Sequence, residues 1–222
     1  MRLQKIDLLE NKYIKQLMIR IIYIIASIII SVSVTHAQDE IQWHTWEEMQ
    51  VMQKREPRKV LVDVYTDWCG WCIKLNEEVF SHDEFNEYAD SNFVLVELDY
   101  PNRKELAEEV VEQNAELQTR YDVSGFPTII LADAAGRPYA QTGYQEGGPA
   151  AYVAHLEELK QTRIDRDEKL HSASDAEGLE KAALLHDAMQ VVGDDLAVKF
   201  YGSIVEQIME LDADNEAGLL GH

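Results

Sequence analysis

The alternation of short apolar runs with amphipathic stretches is the feature of this sequence that most constrains its fold. Runs dominated by β-branched and other apolar residues predict four strands. A D-A-A-G turn joins the last two strands as a hairpin. The predicted strands cover residues 59–65, 92–99, 128–132 and 137–142. Three of them are separated by stretches long enough for crossover helices, which indicates a largely parallel sheet with one antiparallel hairpin.

Amphipathic stretches before, between and after these strands predict helices. Thr45, followed three residues later by Glu48, predicts a capping box at the start of the first helix. The predicted helices cover residues 43–55, 70–88 (continuous, or broken near Ser81), 103–121 and 149–160. The order α-β-α-β-α-β-β-α requires a central mixed sheet with helices on both faces, which is an α/β fold.

The first 37 residues have the pattern of a secretory signal peptide. A basic start precedes an apolar stretch at residues 21–34, and small residues precede a predicted cleavage after Ala37. This apolar stretch is shorter than the roughly 20 residues that span a bilayer, so we expect cleavage and a periplasmic or otherwise exported protein. An uncleaved N-terminal anchor is the alternative, and the membrane is expected to be involved only through this segment. Met18 is an alternative start, because the stretch before it is unusually long for a signal peptide.

Residues 38–162 are predicted to form the main domain, and residues 163–222 a linker with a helical C-terminal extension. The chain is polar and charged over residues 161–175, as a linker would be. Two amphipathic helices are then predicted at residues 177–192 and 194–211. We expect this pair to pack against the main domain as a cap, a docking arm or the unit of a repeat.

The charge of the chain excludes some classes of partner. The first 37 residues hold five of the 20 basic groups and two of the 41 acidic ones, which leaves a net charge of −24 on the remainder. Nucleic acids and anionic lipids bind cationic patches, so neither is expected as a partner.

The only two cysteines, Cys69 and Cys72, follow the first predicted strand directly and lie at the start of a helix. A helix N-terminus favours a thiolate, so Cys69 is predicted to be the exposed nucleophile of disulfide exchange. Cys72 is then the thiol that resolves the mixed disulfide. Two alternatives remain open: half of a zinc site, for which the histidines supply no second cluster, and an inert structural pair. Covalent haem is excluded, because Ile73 stands where a histidine would be required.

Asp63 interrupts an apolar strand six residues before Cys69. Burial of a carboxyl group raises its pKa, which would make Asp63 a base at neutral pH. It would then take the proton from Cys72. The alternative is an aspartate at a solvated strand edge.

Together these residues resemble the thioredoxin family. The likeness is carried by the strand with Asp63, by W-C-G-W-C-I-K at 68–74, by Y-D-V-S-G-F-P-T at 121–128 and by Gly143. It covers residues 60–159 and is similar to exported thioredoxin-like proteins with a T-D-W-C-G-W-C type of site. The resemblance implies a thioredoxin fold, with a central mixed sheet of four or five strands flanked by helices and followed by a C-terminal helical extension.

The resemblance also implies roles for the residues around the cysteines. Pro127 matches a cis-proline that faces the cysteine pair, the alternative being a trans proline that starts a strand. Phe126 would offer backbone hydrogen bonds to the substrate chain, and Trp68 would shield the site. Gly70 and Trp71 lie between the cysteines, where ordinary thioredoxins have proline in place of Trp71. Because residues between the cysteines help to set the redox potential, the resemblance alone leaves the direction of the reaction open.

One departure concerns the surroundings of Asp63. Many thioredoxins have a lysine near the buried aspartate, and in this sequence Glu97 takes that place if the strands align as predicted. The change removes a cation and adds an acid, so the pKa of Asp63 is expected to rise further.

We therefore predict a protein-disulfide reductase or isomerase that acts on exported proteins through the Cys69–Cys72 dithiol. No metal and no cofactor beyond this redox-active disulfide are expected. Electrons would come from an unidentified membrane or thioredoxin-type donor, because nothing in the sequence binds nicotinamide or flavin. The alternative is a redox-silent binding or scaffold module that uses the groove and the C-terminal helices. The predicted catalytic residues are Cys69, Cys72 and Asp63, and the predicted substrate-binding residues are Trp68, Gly70, Trp71, Phe126 and Pro127.

Overall fold

The structure is a computed structural model that describes Met18, Arg20 and residues 41–102 and 104–219. Apart from Met18 and Arg20, the predicted signal peptide at residues 1–37 lies outside the described residues. Within the described part of the chain, no helix combines the length and the apolar character needed to cross a membrane.

A five-stranded mixed sheet forms the centre of the fold, with strand order β1-β3-β2-β4-β5. The first three strands in this order are parallel, whereas β4 runs antiparallel to both β2 and β5. The strands are β1 (Trp43–His44), β2 (Val60–Tyr65), β3 (Val94–Asp99), β4 (Thr128–Ala132) and β5 (Pro138–Thr142). The four predicted strands are confirmed to within two residues at each end. The two-residue β1 lies in a stretch predicted as helix, so that part of the prediction is wrong.

Helices flank the sheet. Of the two alternatives for residues 70–88, the break near Ser81 is confirmed and the continuous helix is wrong. The helices are α1 (Trp46–Arg55), α2 (Gly70–Leu75), α3 (Asp83–Asn92), α4 (Glu108–Arg120), α5 (Gly148–Ser174), α6 (Gly178–Val192), α7 (Asp194–Phe200) and α8 (Gly202–Leu211). A π-helical stretch, Asn76–Phe80, continues α2. The predicted capping box is also confirmed, because the Glu48 N–H donates to Thr45 Oγ1 (3.2 Å) and the Thr45 N–H donates to Glu48 Oε2 (2.8 Å).

The two faces of the sheet bury different side chains of β2, as the two-residue period of a strand requires. Leu61 packs in a cluster with Leu75 of α2. Val62 packs on the opposite side, in a cluster with Leu117 of α4. Asp63 has the same parity as Leu61, so its side chain lies on the face that α2 covers. The strand pattern thus brings the carboxyl group towards the helix that carries the cysteines.

The predicted linker at residues 161–175 is wrong, because α5 continues through it to Ser174. Its charged side chains pair along the helix, for example Arg163 Nη1 with Asp167 Oδ2 at 2.7 Å. Such i,i+4 pairs stabilise a helix in this segment, although its polar composition alone is typical of a solvated linker. The predicted helix at residues 194–211 is also two helices, which break at Tyr201.

The C-terminal helices contact the main domain, as predicted. Phe200 of α7 stacks on Tyr121 with ring centroids 5.2 Å apart. The neighbouring Lys199 Nζ lies 3.0 Å from Asp122 Oδ2. These contacts join α7 to the end of α4.

A buried arginine holds the same interface together. Arg166 of α5 is 1 % exposed, and its Nη2 lies 3.1 Å from Asp133 Oδ2 and 2.6 Å from Asp167 Oδ1. Its Nη1 donates to the Tyr201 hydroxyl, which in turn donates to the Pro138 carbonyl oxygen (3.0 Å). The network joins α5, the break before α8 and the β4–β5 hairpin. Tyr201 lies at that break, outside both helices, where its hydroxyl contacts Arg166 and Pro138.

Substitution of Arg166 by methionine is expected to lower the free energy of unfolding by about 2 kcal/mol, because it removes the buried hydrogen bonds of a charged group and leaves Asp133 with the more exposed Arg137 as its remaining cation. Arg163→Met is the matched control one turn earlier. Its ion pair with Asp167 is partly exposed, and such pairs contribute no more than about 1 kcal/mol. Urea unfolding of both variants measures the difference. A loss below 1 kcal/mol for Arg166→Met would show that the network does not hold the interface.

Candidate active site

The site is built on a disulfide between Cys69 and Cys72 at the start of α2. Cys69 is the N-cap of the helix, and its Sγ accepts a hydrogen bond from the Cys72 N–H (3.1 Å). The sulfur therefore lies at the end of the helix where backbone N–H groups lack partners within the helix. This position stabilises negative charge on Cys69 once the disulfide is opened.

The expectation that Cys69 is the exposed cysteine is not met in the disulfide state. Cys69 is 7 % exposed and Cys72 is 8 % exposed. Each sulfur covers part of the other, so exposure does not distinguish them in this state. What distinguishes them is position, since Cys69 caps the helix and Cys72 lines a partly open cavity.

Asp63 lies on the central strand β2, between β3 and β4, and not at a sheet edge. Its Oδ1 is buried and has no hydrogen-bond partner within the described residues. Burial, and secondarily the charge of Glu97, raises the pKa of Asp63 to about 8. The raised pKa agrees with the prediction and with the burial of Oδ1, and the solvated-edge alternative is wrong because β2 lies inside the sheet.

Glu97 pairs with Asp63 in the parallel register of β2 and β3, as the predicted alignment requires. The Tyr65 hydroxyl donates to Glu97 Oε2 at 3.5 Å. Two carboxyl groups therefore occupy neighbouring positions of the sheet, with no cation in the register pair to offset them.

A cavity of about 350 Å³ lies behind the disulfide. It is lined by Cys72 together with four acidic residues, Asp63, Asp67, Glu77 and Glu97, and no described lysine, arginine or histidine lines it. Cys72 and Asp63 thus share an acidic cavity that Cys69 does not line. Within the described part of the chain, no group of three or more histidine, cysteine, aspartate or glutamate side chains has the geometry to hold a metal ion.

The peptide bond between Phe126 and Pro127 is cis, as the resemblance implies, and the alternative of a trans proline is wrong. Thr128, the first residue of β4, pairs with Val64 near the end of β2 that leads to the cysteines. The Phe126 ring meets Trp68 edge-on, with centroids 6.0 Å apart. The cis peptide is thereby held beside the disulfide loop.

Gly143 follows β5 and lies against the same cis peptide. A Cβ atom at this position would lie 3.2 Å from the Pro127 carbonyl oxygen, which is tighter than most such contacts. The absence of a side chain at Gly143 allows the loop after β5 to approach the active-site proline.

Aromatic side chains flank the disulfide on both sides. Trp68 is 52 % exposed and Trp71 is 55 % exposed. The Phe126 ring supports Trp68, whereas the Tyr144 ring lies 5.3 Å from Trp71. Gly70, between the cysteines, has open space where a Cβ would lie, because no described atom beyond its chain neighbours and its own helix backbone comes within 4 Å. The structure therefore brings together the eight residues predicted for the site.

Three side chains that contact Trp71 or its neighbours were not predicted from the sequence. Tyr144 packs on Trp71, Lys74 lies over both rings, and Glu78 accepts a hydrogen bond from the Tyr144 hydroxyl. Helical spacing could have indicated two of them, because Lys74 lies three residues after Trp71 and Glu78 lies four residues after Lys74. No local pattern brings Tyr144 to Trp71.

Comparisons with known proteins place this site in context. A family model described as a thioredoxin-like domain matches residues 46–160, which include the whole disulfide site. The disulfide bond reductase DsbH of Chlamydia pneumoniae is 33 % identical over 128 residues, covering 57 % of this chain and 77 % of that protein. Among solved structures, a DsbH oxidoreductase matches with a TM-score of 0.52 and 31 % identity, covering 58 % of this chain and 91 % of that one.

A second class of relative matches over a shorter stretch. The thiol:disulfide interchange protein DsbD of Actinobacillus pleuropneumoniae serotype 5b is 30 % identical over 92 residues. The match covers 40 % of this chain and 14 % of DsbD, so it spans only a small part of that protein.

Proposed function

Because this chain belongs to the thioredoxin-like family and is a thiol–disulfide oxidoreductase, we propose that it reduces disulfides of exported proteins. The observation that supports this best is the position of the disulfide, at a helix N-terminus in front and against an acidic cavity behind. The two sulfurs therefore have opposite electrostatic surroundings. These suit Cys69 to attack the substrate as a thiolate and Cys72 to remain a protonated thiol until the mixed disulfide has formed.

The first step uses Cys69. Its thiolate attacks one sulfur of a substrate disulfide, forming a bond between Cys69 and the substrate while the substrate S–S bond breaks. The leaving substrate thiolate takes up a proton from the surroundings. Cys69 has this role because the N-cap position stabilises its ionised form, and the thiolate is the attacking species in disulfide exchange.

The second step uses Cys72 and Asp63. Asp63, in the cavity that Cys72 also lines, accepts the Cys72 proton, and the Cys72 thiolate attacks Cys69 Sγ. The mixed disulfide breaks, the second substrate sulfur leaves as a thiolate that takes up the proton from Asp63 or from water, and the protein ends as the Cys69–Cys72 disulfide. A raised pKa matches this role, because a base that titrates near the working pH takes up and returns a proton readily.

The acidic cavity supports reduction as the direction of the reaction. A couple becomes more oxidising when its reduced form is stabilised. Carboxylates around Cys72 repel the negative charge of a thiolate, so they keep Cys72 a neutral thiol and add no stabilisation to the reduced form. The helix N-terminus favours the Cys69 thiolate, but such effects are typically about 1 kcal/mol, or about 20 mV for two electrons. We therefore expect only a small stabilisation of the reduced form, as a reductase requires.

The substrate chain would bind across the front of the disulfide. Phe126, next to the cis-proline Pro127, would offer backbone hydrogen bonds to an extended segment, and Trp68, Gly70 and Trp71 would line its path. Trp68 and Trp71 leave about half of their surfaces exposed, so a peptide has apolar area to cover.

The proposed setting is the periplasm or another exported compartment. The predicted signal peptide at residues 1–37 supports export, and the name of the Chlamydia pneumoniae relative, disulfide bond reductase, supports reduction there. Each cycle leaves the protein oxidised, so a donor must return two electrons. A membrane protein or a thioredoxin-type protein would supply them.

Reduction of insulin with dithiothreitol as the electron donor tests the proposed function. The wild-type chain is expected to accelerate precipitation of the insulin B chain, and Cys69→Ser to abolish the acceleration while keeping the far-ultraviolet circular dichroism of the wild type. Lack of turnover by a folded wild-type chain would contradict the proposal and favour the redox-silent binding module.

A further inference from the structure

Three side chains hold Trp71 in place beside the disulfide. The Tyr144 ring lies 5.3 Å from the Trp71 ring at an interplanar angle of 36°. Lys74 Nζ lies 5.3 Å from the Trp71 centroid and 4.7 Å from the Tyr144 centroid, so one ammonium group contacts both rings. Glu78 accepts a hydrogen bond from the Tyr144 hydroxyl, and its other oxygen lies 3.8 Å from Lys74 Nζ. We call these four residues the Trp71 cluster.

The Trp71 cluster joins the two segments that form the active site. Trp71, Lys74 and Glu78 belong to α2 and its π-helical continuation, whereas Tyr144 belongs to the loop after β5. Tyr144 directly follows Gly143, which approaches the cis-proline. The orientation of Trp71 is therefore tied to the same loop that positions the cis peptide.

The cluster exposes an apolar surface, and its charged groups pair with one another. Trp71 is 55 % exposed and the adjacent Ile73 is 49 % exposed. The Lys74 ammonium already contacts two rings and a carboxylate, and Glu146 adds further negative charge near it. An acidic substrate residue would therefore find the Lys74 ammonium group already paired and would be repelled by the carboxylates beside it. A large apolar side chain would instead cover the exposed face of the Trp71 indole.

On the basis of the proposed function, we propose that the Trp71 cluster selects the substrate: Trp71, oriented by Tyr144 and Lys74, binds a large apolar side chain next to the substrate cysteine. The occupant is an extended segment of a disulfide-bearing protein, because the surface is continuous with the disulfide at which that segment reacts. Trp71 contacts the substrate, and Tyr144, Lys74 and Glu78 are positioning residues that act through it.

Matched disulfide peptides test this inference on the full chain. Three peptides with one intramolecular disulfide differ only in the residue after one cysteine, which is phenylalanine, alanine or glutamate. The wild-type chain is expected to favour the phenylalanine peptide over the alanine peptide by roughly two- to tenfold in kcat/KM, mainly through a lower KM, because aromatic pairs contribute that much. The glutamate peptide is expected to be the poorest substrate.

Variants separate selection from simple support of the fold. Tyr144→Leu and, independently, Lys74→Met are expected to bring the phenylalanine-to-alanine ratio close to one. Tyr144→Phe keeps the ring and is expected to retain most of the ratio. Val198→Ala is the control, because Val198 is an exposed apolar residue, 67 % exposed, on α7. It removes exposed apolar surface outside the cluster, and the ratio should stay at the wild-type value.

Two results would overturn the inference. One is a wild-type chain that reduces the phenylalanine and alanine peptides equally well. The other is a Tyr144→Leu chain that slows on all peptides by one common factor, which would indicate a structural role only. A wild-type chain that reduces none of the peptides contradicts the proposed function itself, so the two failures are distinguishable.

Discussion

Substitution of Cys72 by alanine is expected to stop turnover and to leave the protein covalently bound to its substrates through Cys69. The first attack still takes place, because it needs only Cys69. Release then depends on an external thiol, whereas Cys72 attacks within the molecule, with its Cα 5.2 Å from that of Cys69. Intramolecular groups so placed correspond to very high effective concentrations, so we expect turnover to fall by at least about 100-fold.

Mass spectrometry of the adducts measures this effect. Reduced Cys72→Ala protein mixed with insulin should give a species that carries insulin on Cys69 through one mixed disulfide and that dithiothreitol releases. Cys69→Ala is the matched control and should give no adduct. If Cys69→Ala traps insulin and Cys72→Ala does not, the roles assigned to the two sulfurs are reversed.

Replacement of Asp63 by asparagine is expected to stabilise the protein strongly at alkaline pH. Burial raises the pKa of Asp63 from 3.8 to about 8, so the folded chain keeps a proton that the unfolded chain releases within this range. The contribution of Asp63 to the free energy of unfolding is therefore largest below pH 4 and falls as the pH rises towards 8. Each pH unit of this window corresponds to about 1.4 kcal/mol, which gives the asparagine variant a relative gain of roughly 5 kcal/mol at pH 8.

Urea unfolding at pH 4 and at pH 8 measures this gain, because the difference between the two pH values cancels any fixed cost of the amide. Glu97→Gln should lower the pH at which the loss of stability ends, because Glu97 contributes to the raised pKa of Asp63. Glu112→Gln is the control, because it removes one exposed negative charge on α4. Equal pH dependence of the asparagine variant and the wild-type chain would show that Asp63 ionises normally.

Those parts of the fold that follow from local pattern were predictable from the sequence. The interruption of the apolar run of β2 identified Asp63, and the T-x-x-E pattern located the start of α1. The cis peptide at Pro127 and the pairing of Asp63 with Glu97 came from the resemblance, because long-range register is not visible in a single strand. The two residues of β1 were missed, since so short a strand carries no period of its own.

Other features depend on tertiary contacts that no local pattern encodes. The charged stretch at residues 161–175 looks solvated in composition, but Arg166 is buried because Asp133 and Tyr201 approach it from distant parts of the chain. Tyr201 ends a helix although the apolar spacing continues through it. Likewise, Tyr144 reaches Trp71 across 73 residues of sequence, and nothing in either segment alone indicates the contact.

The reduction potential of the Cys69–Cys72 couple, measured by equilibration of the full chain with glutathione buffers, tests the central claim most directly. With Cys72 kept a neutral thiol and only a modest stabilisation of the Cys69 thiolate, the dithiol should be a good electron donor, and its standard potential should lie below about −200 mV, on the thioredoxin side of the known range. A value above about −200 mV, towards the dedicated oxidants, would mean that the reduced form is strongly stabilised and that the protein does not serve as a reductase.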